Sequence, residues 1–503
     1  MELPQMIESG LPSCNSIYDF IALLYAFIDE EIDIHEQSSF ISKVDQHWNE
    51  FLTYIQRMDI KFETIFLKQT LIKFQQEISK PVLQLDGFSE NETFIAICYV
   101  LIHGICQCFS ESNFSELEKS YGPLNTFPED CQIYFFDEGS IPYRTAMEFE
   151  NERNPYHQFK HFIPNFSFLI RSNKLSGLGI PVIKHVSYTA RKGKITSDEG
   201  TLSVRFACFP WGKTGHFTFE KVGPGKHFRV NYSTDNNVVN EVSNKIEKFI
   251  YKALEEEANF IVFPEYSIPP YGLEIIKKTL ESAKSKDSLH LVFAGSTWGP
   301  DNDTDPSKED NVMTIFDNDG TVRGKYYKYC RFSRRSPTNQ KWSKMEWVEN
   351  LSFPGKEITL IHMDRIGTIL PAICRDSFDN DNTTPEILNT FLPSFIVNAA
   401  FSPSVNGIMD DLKRYSKDYC SNYVFCNYCS AVKLGKPTRA IGGAGMAEQN
   451  LKKSSVVFSL EKHFIRRRTC IINCNHHPCF FITDFRWSEK ERKIDVKKMY
   501  CNL

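Results

Sequence analysis

Residues 239–266, VNEVSNKIEKFIYKALEEEANFIVFPEY, carry two hydrophobic periods in succession. Val239, Val242, Ile246, Phe249, Ile250, Ala253 and Leu254 recur at helical spacing and mark one apolar face of a long helix. Asn259 to Phe263 then make a short apolar run closed by Pro264, which reads as a buried strand. Upstream, Leu202, Val204, Phe206 and Cys208 alternate with Ser203, Arg205 and Ala207, the pattern of a strand with one buried face. Downstream, strands are expected at 290–294, 312–316, 358–362, 366–373 and 395–399, with a turn at Asn318-Asp319-Gly320. A helix over roughly 408–422 leads into a further apolar run, Tyr423 to Tyr428. Helices and strands interleaved in this way predict an α/β layered domain of about 300 residues.

The chain of 503 residues is longer than one ordinary domain, and its texture changes along its length. Residues 1–188 read as a mainly α-helical domain of unknown role. Ile17, Phe20, Ile21, Leu24, Phe27 and Ile28 recur at helical spacing, and so do Ile41, Val44, Trp48, Phe51, Leu52 and Ile55. Residues 93–109 read as a buried helix, in which His103 is a satisfied core residue, and residues 131–180 form an aromatic stretch without a clear period. The polar segment 189–200, TARKGKITSDEG, separates this region from the second domain, 200–503.

Composition bounds the function classes. With 41% hydrophobic and 24% charged residues, the chain has enough apolar surface to fold, which excludes general disorder. A net charge of −5 excludes a global basic field for nucleic acid. No basic stretch followed by an apolar one opens the sequence, and no apolar run approaches the ~18 residues of a membrane span. Fifteen cysteines, an odd number at irregular intervals, suggest reduced thiols and a cytoplasmic location.

Three short contexts carry chemistry. In Phe260-Ile261-Val262-Phe263-Pro264-Glu265-Tyr266 a carboxylate leaves a buried strand, where low dielectric tunes it toward general acid or base duty. In Asp319-Gly320-Thr321-Val322-Arg323-Gly324-Lys325-Tyr326-Tyr327-Lys328 a turn precedes a strand whose two lysines, three apart, point to opposite faces. One of them, buried, is a fixed partner for a developing oxyanion. In Ile366-Gly367-Thr368-Ile369-Leu370-Pro371-Ala372-Ile373-Cys374-Arg375-Asp376 a thiol ends an apolar strand at a turn with free N–H donors.

In this order, the Pro-Glu after a strand, the Tyr-x-Lys after an Asp-Gly turn and the strand-ending Cys-x-Asp resemble the nitrilase superfamily of carbon–nitrogen hydrolases. The resemblance covers roughly 202–460 and takes in Ala253 to Ala258 (ALEEEA), Glu349 ahead of Pro354-Gly355, Leu392 to Phe401 (LPSFIVNAAF) and Phe425-Cys426-Asn427. It implies an αββα sandwich and a thiol-dependent amidohydrolase acting on a non-peptide C–N bond in a small amide or nitrile.

The implied roles fall on individual residues. Cys374 is the nucleophile and Glu265 the general base and acid. Lys328, in preference to Lys325, stabilises the oxyanion together with the Arg375 backbone N–H. Glu349, with Glu346 as fallback, positions substrate or water, and Tyr327 and Arg375 contact substrate. Lys328 is also expected to lower the thiol pKa. The resemblance implies no metal, no cofactor and a homo-oligomer.

This chain departs from the family pattern at Arg375, where an aromatic residue is common, and in the segment Ile441 to Ala447, which lacks a Pro-x-Gly. A basic stretch, residues 331–344, carries Arg331, Arg334, Arg335, Lys341 and Lys344 without an acid. Its two readings are a solvated loop and a cap favouring an anionic substrate. A second function class also fits: a nitrilase-fold binding or defence-associated module whose N-terminal domain docks a protein partner. Cys426, Cys429, Cys470 and Cys474, with His476, His477 and Cys479, lie near zinc-site spacing, yet Cys426 sits in an apolar run, so buried thiols are expected.

Overall fold

The computed structural model describes residues 36–57, 87–110, 183–188, 201–212, 215–223, 227–284, 287–300, 309–334, 347–351, 358–363, 366–377, 393–402, 421–428, 480–488 and 493–500, with shorter stretches elsewhere. The chain divides into two units, Met1–Gly177 with Thr390–Leu392 and Gln449–Ser455, and Leu178–Asn389 with Pro393–Glu448 and Val456–Leu503.

In the first unit, helices Gln37–Gln46, Trp48–Arg57 and Glu90–Ser110 are described. The periodic run from Ile41 to Ile55 is two helices rather than one, because the backbone leaves helical geometry at His47 (φ −117°, ψ 20°). Helix Glu90–Ser110 starts at a reciprocal cap: the Glu92 N–H donates to Ser89 Oγ (3.2 Å) and the Ser89 N–H to Glu92 Oε2 (2.7 Å). His103 is buried edge-on against the rings of Trp48 (5.4 Å) and Tyr99 (5.1 Å). The unperiodic aromatic stretch contributes a short antiparallel ladder, Phe135–Asp137 with Phe166–Phe168. Among the described residues no helix is long and apolar enough to cross a membrane.

The second unit is α/β, with three sheets among its described residues. The largest, of nine strands, has a parallel centre in which Thr201–Cys208, Phe260–Val262 and Leu291–Phe293 lie side by side. Antiparallel strands Glu309–Asp317 and Phe481–Ser488 flank this centre, and Val322–Tyr327 pairs onto the first of them. The seven-stranded sheet is centred on the parallel set Gly367–Ile373, Phe395–Ala400 and Asn422–Asn427. A four-stranded sheet joins the hairpin Phe217–Val222/His227–Tyr232 to Trp347–Glu349 and Ser333–Arg334.

Alternation along the strands explains the layering. Phe206 faces Phe395 of the seven-stranded sheet (ring centroids 5.3 Å apart), and Cys426 Sγ donates to the Val262 carbonyl (3.5 Å). On the opposite face Ala207, Ile261 and Val292 pack with Val242, Ile246, Phe249 and Ile250 of helix Asn236–Glu255. Val204, Phe206 and Cys208 make the buried face that the alternation suggests, and on the other face Ser203 and Arg205 are half-buried while Ala207 is buried beneath this helix. The apolar face of the helix is as expected except at Val239, which is only half-buried.

Asp235 caps that helix, its carboxylate accepting from the N–H groups of Asn237 (2.8 Å) and Val238 (3.4 Å). Asp235→Ala is expected to cost about 1 kcal/mol, read as a lower denaturation midpoint with an unchanged slope.

Strand Ile183–Tyr188 pairs in parallel with Ile358–Met363, so the second unit begins ahead of the polar segment 189–200 and not after it. The segment is a connection inside that unit, with Thr196–Ser197 paired onto Thr201–Cys208. Of the residues at zinc-site spacing, Cys426 lies between the two sheets, and Cys429, Cys470, Cys474, His476, His477 and Cys479 fall outside the described residues.

Candidate active site

Four of the residues singled out in the sequence are at most 1% exposed: Glu265, Lys328, Glu349 and Cys374. Each lies at the end of a strand. Glu265 follows Phe260–Val262, Lys328 follows Val322–Tyr327, Glu349 closes Trp347–Glu349 and Cys374 follows Gly367–Ile373. Strand ends release the backbone from the ladder while the sheets keep its position fixed.

Lys328 Nζ lies between two carboxylates, 2.6 Å from Glu265 Oε1 and 2.9 Å from Glu349 Oε2. Asn311 Nδ2 donates to both acids, at 2.9 Å to Glu265 Oε1 and 3.2 Å to Glu349 Oε1. The other Glu265 oxygen, Oε2, accepts from the Phe401 backbone N–H (2.9 Å). Glu349 also accepts from the Tyr266 hydroxyl and, at Oε2, from the Phe332 N–H (2.6 Å). Its strand is set by parallel pairing with His227 and Phe228 of the hairpin.

The turn carrying Glu265 depends on close packing. Tyr266 has a positive φ (59°), a conformation costing roughly 1–3 kcal/mol in a non-glycine residue. Its N–H donates to Ser296 Oγ (3.1 Å), and Ser267 Oγ donates to the Pro264 carbonyl (2.6 Å). Gly295 makes this possible: its φ is +60°, and a Cβ there would lie 2.1 Å from the Pro264 oxygen. Gly295→Ala is expected to lower stability by about 2 kcal/mol or more and to displace Glu265, checked by thermal unfolding together with turnover.

Cys374 opens the 3₁₀ turn Cys374–Ser377 with φ +48°. Asn398, on the neighbouring strand Phe395–Ala400, clamps that strained residue from both sides. Its Oδ1 accepts from the Cys374 N–H (3.2 Å) and its Nδ2 donates to the Cys374 carbonyl (3.1 Å). Asp376, buried in the same turn, accepts from the Cys330 N–H (2.8 Å) and the Ile373 N–H (3.3 Å). It therefore ties the chain just beyond Lys328 to the cysteine turn.

These groups set one another's protonation. Burial pushes the Glu265 carboxyl above the usual carboxylate range; Lys328 pulls it back and Glu349 adds to the rise. Burial alone would favour neutral Lys328, but Glu265 and Glu349 outweigh it and hold the ammonium well above its usual pKa. Burial and then the Glu265 charge push the Cys374 thiol well up, against the opposing pull of Lys328 and the Phe401 N–H. Lys328 does lower the thiol pKa, as expected, but desolvation and the Glu265 carboxylate outweigh it and the net shift is upward. The upward shift keeps the Cys374 thiol protonated near neutral pH.

The remaining sequence candidates sit around this core. Tyr327 is buried at the end of its strand opposite Val312. Arg375 is half-buried, its Nη1 donating to the Arg331 carbonyl (3.2 Å). Lys325 is half-buried on its strand, and Glu346 lies outside the described residues. Asn311, Asn398, Asp376, Tyr266 and the Phe401 N–H were not singled out for the site from the sequence. For the asparagines the available signal was a polar residue inside an otherwise apolar strand.

No family model matches the chain, and no curated protein matches it. Among solved structures it is similar to glutamine-dependent NAD+ synthetase from Acinetobacter baumannii (TM-score 0.36, 14% identity, 60% of this chain and 48% of that one). It thus spans about half the length of that synthetase. It is also similar to Saccharomyces cerevisiae Nit3, a member of branch 10 of the nitrilase superfamily (TM-score 0.35, 15% identity, 60% of this chain and 94% of that one). A third similar structure is an amidase from Nesterenkonia sp. (TM-score 0.31, 11% identity, 53% of this chain and 90% of that one).

Proposed function

We propose that the second unit is a nitrilase-like αββα hydrolase that cleaves a non-peptide C–N bond, in a small amide or nitrile, through a Cys374 thioester. The observation that carries this reading is the buried Glu265–Lys328–Glu349 array electrostatically coupled to the Cys374 thiol. An ammonium shared by two carboxylates, beside a neutral thiol, supplies a base, an oxyanion partner and a nucleophile in one desolvated place.

For an amide, Cys374 Sγ attacks the carbonyl carbon as its proton passes to Glu265. The oxygen takes up the negative charge and is stabilised by Lys328, with the Arg375 N–H as second donor. Collapse breaks the C–N bond, and the nitrogen leaves with the proton held by Glu265. Water then attacks the thioester, again giving its proton to Glu265, and the sulfur departs and recovers that proton. Glu349 keeps Lys328 charged throughout and positions substrate or water.

The test is ammonia release across a panel of small amides and nitriles, with intact mass recorded on quenched enzyme. The expected result is turnover of at least one member and an acyl adduct on Cys374. Turnover with no dependence on that sulfur removes the reading.

A further inference from the structure

Asn311 is fully buried in strand Glu309–Asp317 and contacts every charged member of the array. Its carbonyl accepts from the Lys328 backbone N–H (3.0 Å), and its side-chain amide donates to Glu265 and Glu349 (2.9 and 3.2 Å). Both neighbours are acceptors, so the amide nitrogen must face them, and each of its two hydrogens serves one carboxylate. The amide oxygen, Oδ1, has no donor among the described residues. A buried carbonyl without a donor is costly, and an apolar side chain of similar size would fill the space without that cost. Packing alone therefore does not account for an asparagine here.

We propose that Asn311 is a positioning residue that fixes the spacing and orientation of Glu265 and Glu349 about the shared Lys328 ammonium. The inference rests on the thiol-hydrolase reading above. Two buried carboxylates compete for a single ammonium, and like charges this close favour a proton on one of them. An N–H given to each acid stabilises both ionised forms without adding charge. Glu265 Oε1 is then held by Lys328 and Asn311, and Oε2 by the Phe401 N–H, which also acts on the Cys374 thiol. Without the amide, Glu265 takes up a proton more readily and less of it is available as a base. The other titratable groups acting on this array are Tyr266, Tyr232, Asp376 and Cys374.

The test compares wild type, Asn311→Leu and Asn311→Ala in the full chain. Two readouts are followed against pH: kcat/KM on an amide found by ammonia release, and the rate at which iodoacetamide alkylates Cys374, located by peptide mass. Both donor-free variants are expected to move the acidic onset of each profile upward by about one pH unit, with rates about tenfold lower below the onset. Leu preserves volume and Ala does not, so equal shifts identify the lost donor as the cause. Onsets within about 0.2 units of wild type in both variants, or a loss confined to Ala with melting temperature falling in step, would overturn the proposal. Glu265→Gln separates the two levels of inference. If wild type shows neither ammonia release nor alkylation that Glu265→Gln suppresses, the hydrolase reading fails. If both are present and only the Asn311 variants are silent, the positioning role alone fails.

Discussion

Turnover of the Cys374→Ala variant is expected to fall to background, a loss of at least about 10⁴-fold in kcat/KM. In the proposed reaction the sulfur is the atom that bonds to substrate, and alanine has nothing to put in its place. The structural cost is small by comparison. The residue is buried, but its strained backbone is held by Asn398 through main-chain atoms that alanine retains. The variant should therefore melt close to wild type while losing both ammonia release and the acyl adduct. A folded Cys374→Ala protein that still hydrolyses the amide would show that the bond is broken by another route.

Lys328→Met is expected to be the most destabilising single change at the site. It leaves Glu265 and Glu349, both at most 1% exposed, without their shared ammonium. Removing one partner from a buried charge cluster costs about 3–5 kcal/mol, and losing an oxyanion partner costs about 10²–10³ in kcat. The pH dependence gives the sign. Without the lysine, the buried Glu265 carboxyl loses the charge that pulls its raised pKa back, so its folded pKa lies further above its unfolded one and it costs stability where it is ionised in the unfolded chain. The deficit should be largest near neutral pH and shrink as pH falls toward about 4.3, where a protonated glutamate no longer needs a cation. Denaturation midpoints of variant and wild type across that range measure it, and a deficit that stays constant to acid pH contradicts the buried ion cluster.

Of the residues proposed to carry chemistry, Glu265 and Cys374 were legible because they lie just beyond strands that periodicity reveals, whereas Lys328 was placed by a turn and Glu349 by the family resemblance. Phe260–Val262, Gly367–Ile373 and Phe395–Ala400 announce themselves as apolar runs; Cys374 follows the second directly and Glu265 follows the first after Phe263-Pro264. What holds those side chains was not legible. The Phe401 donor is a backbone N–H, which has no signature in a sequence. Asn398 in Phe-Ile-Val-Asn-Ala-Ala and Asn311 ahead of Val-Met-Thr-Ile-Phe stand out as polar intrusions, but their partners lie 24 and 46 residues away. The four-stranded sheet was missed for a similar reason, since the strand of Glu349 pairs with the distant hairpin at His227. Ile183–Tyr188 likewise joins its sheet through a parallel neighbour beginning at Ile358, so local texture placed the domain boundary too late.

The reach of the Glu265 contacts bears on how the molecule assembles. Its carboxylate meets Lys328 across 63 positions of chain and the Phe401 amide across 136. Such non-local closures are entropically expensive and form late in folding. In chain order Glu265 precedes both Lys328, the group that neutralises it, and the Phe401 amide. Burying this glutamate without Lys328 in place would leave an uncompensated charge in the core, at a cost of several kcal/mol.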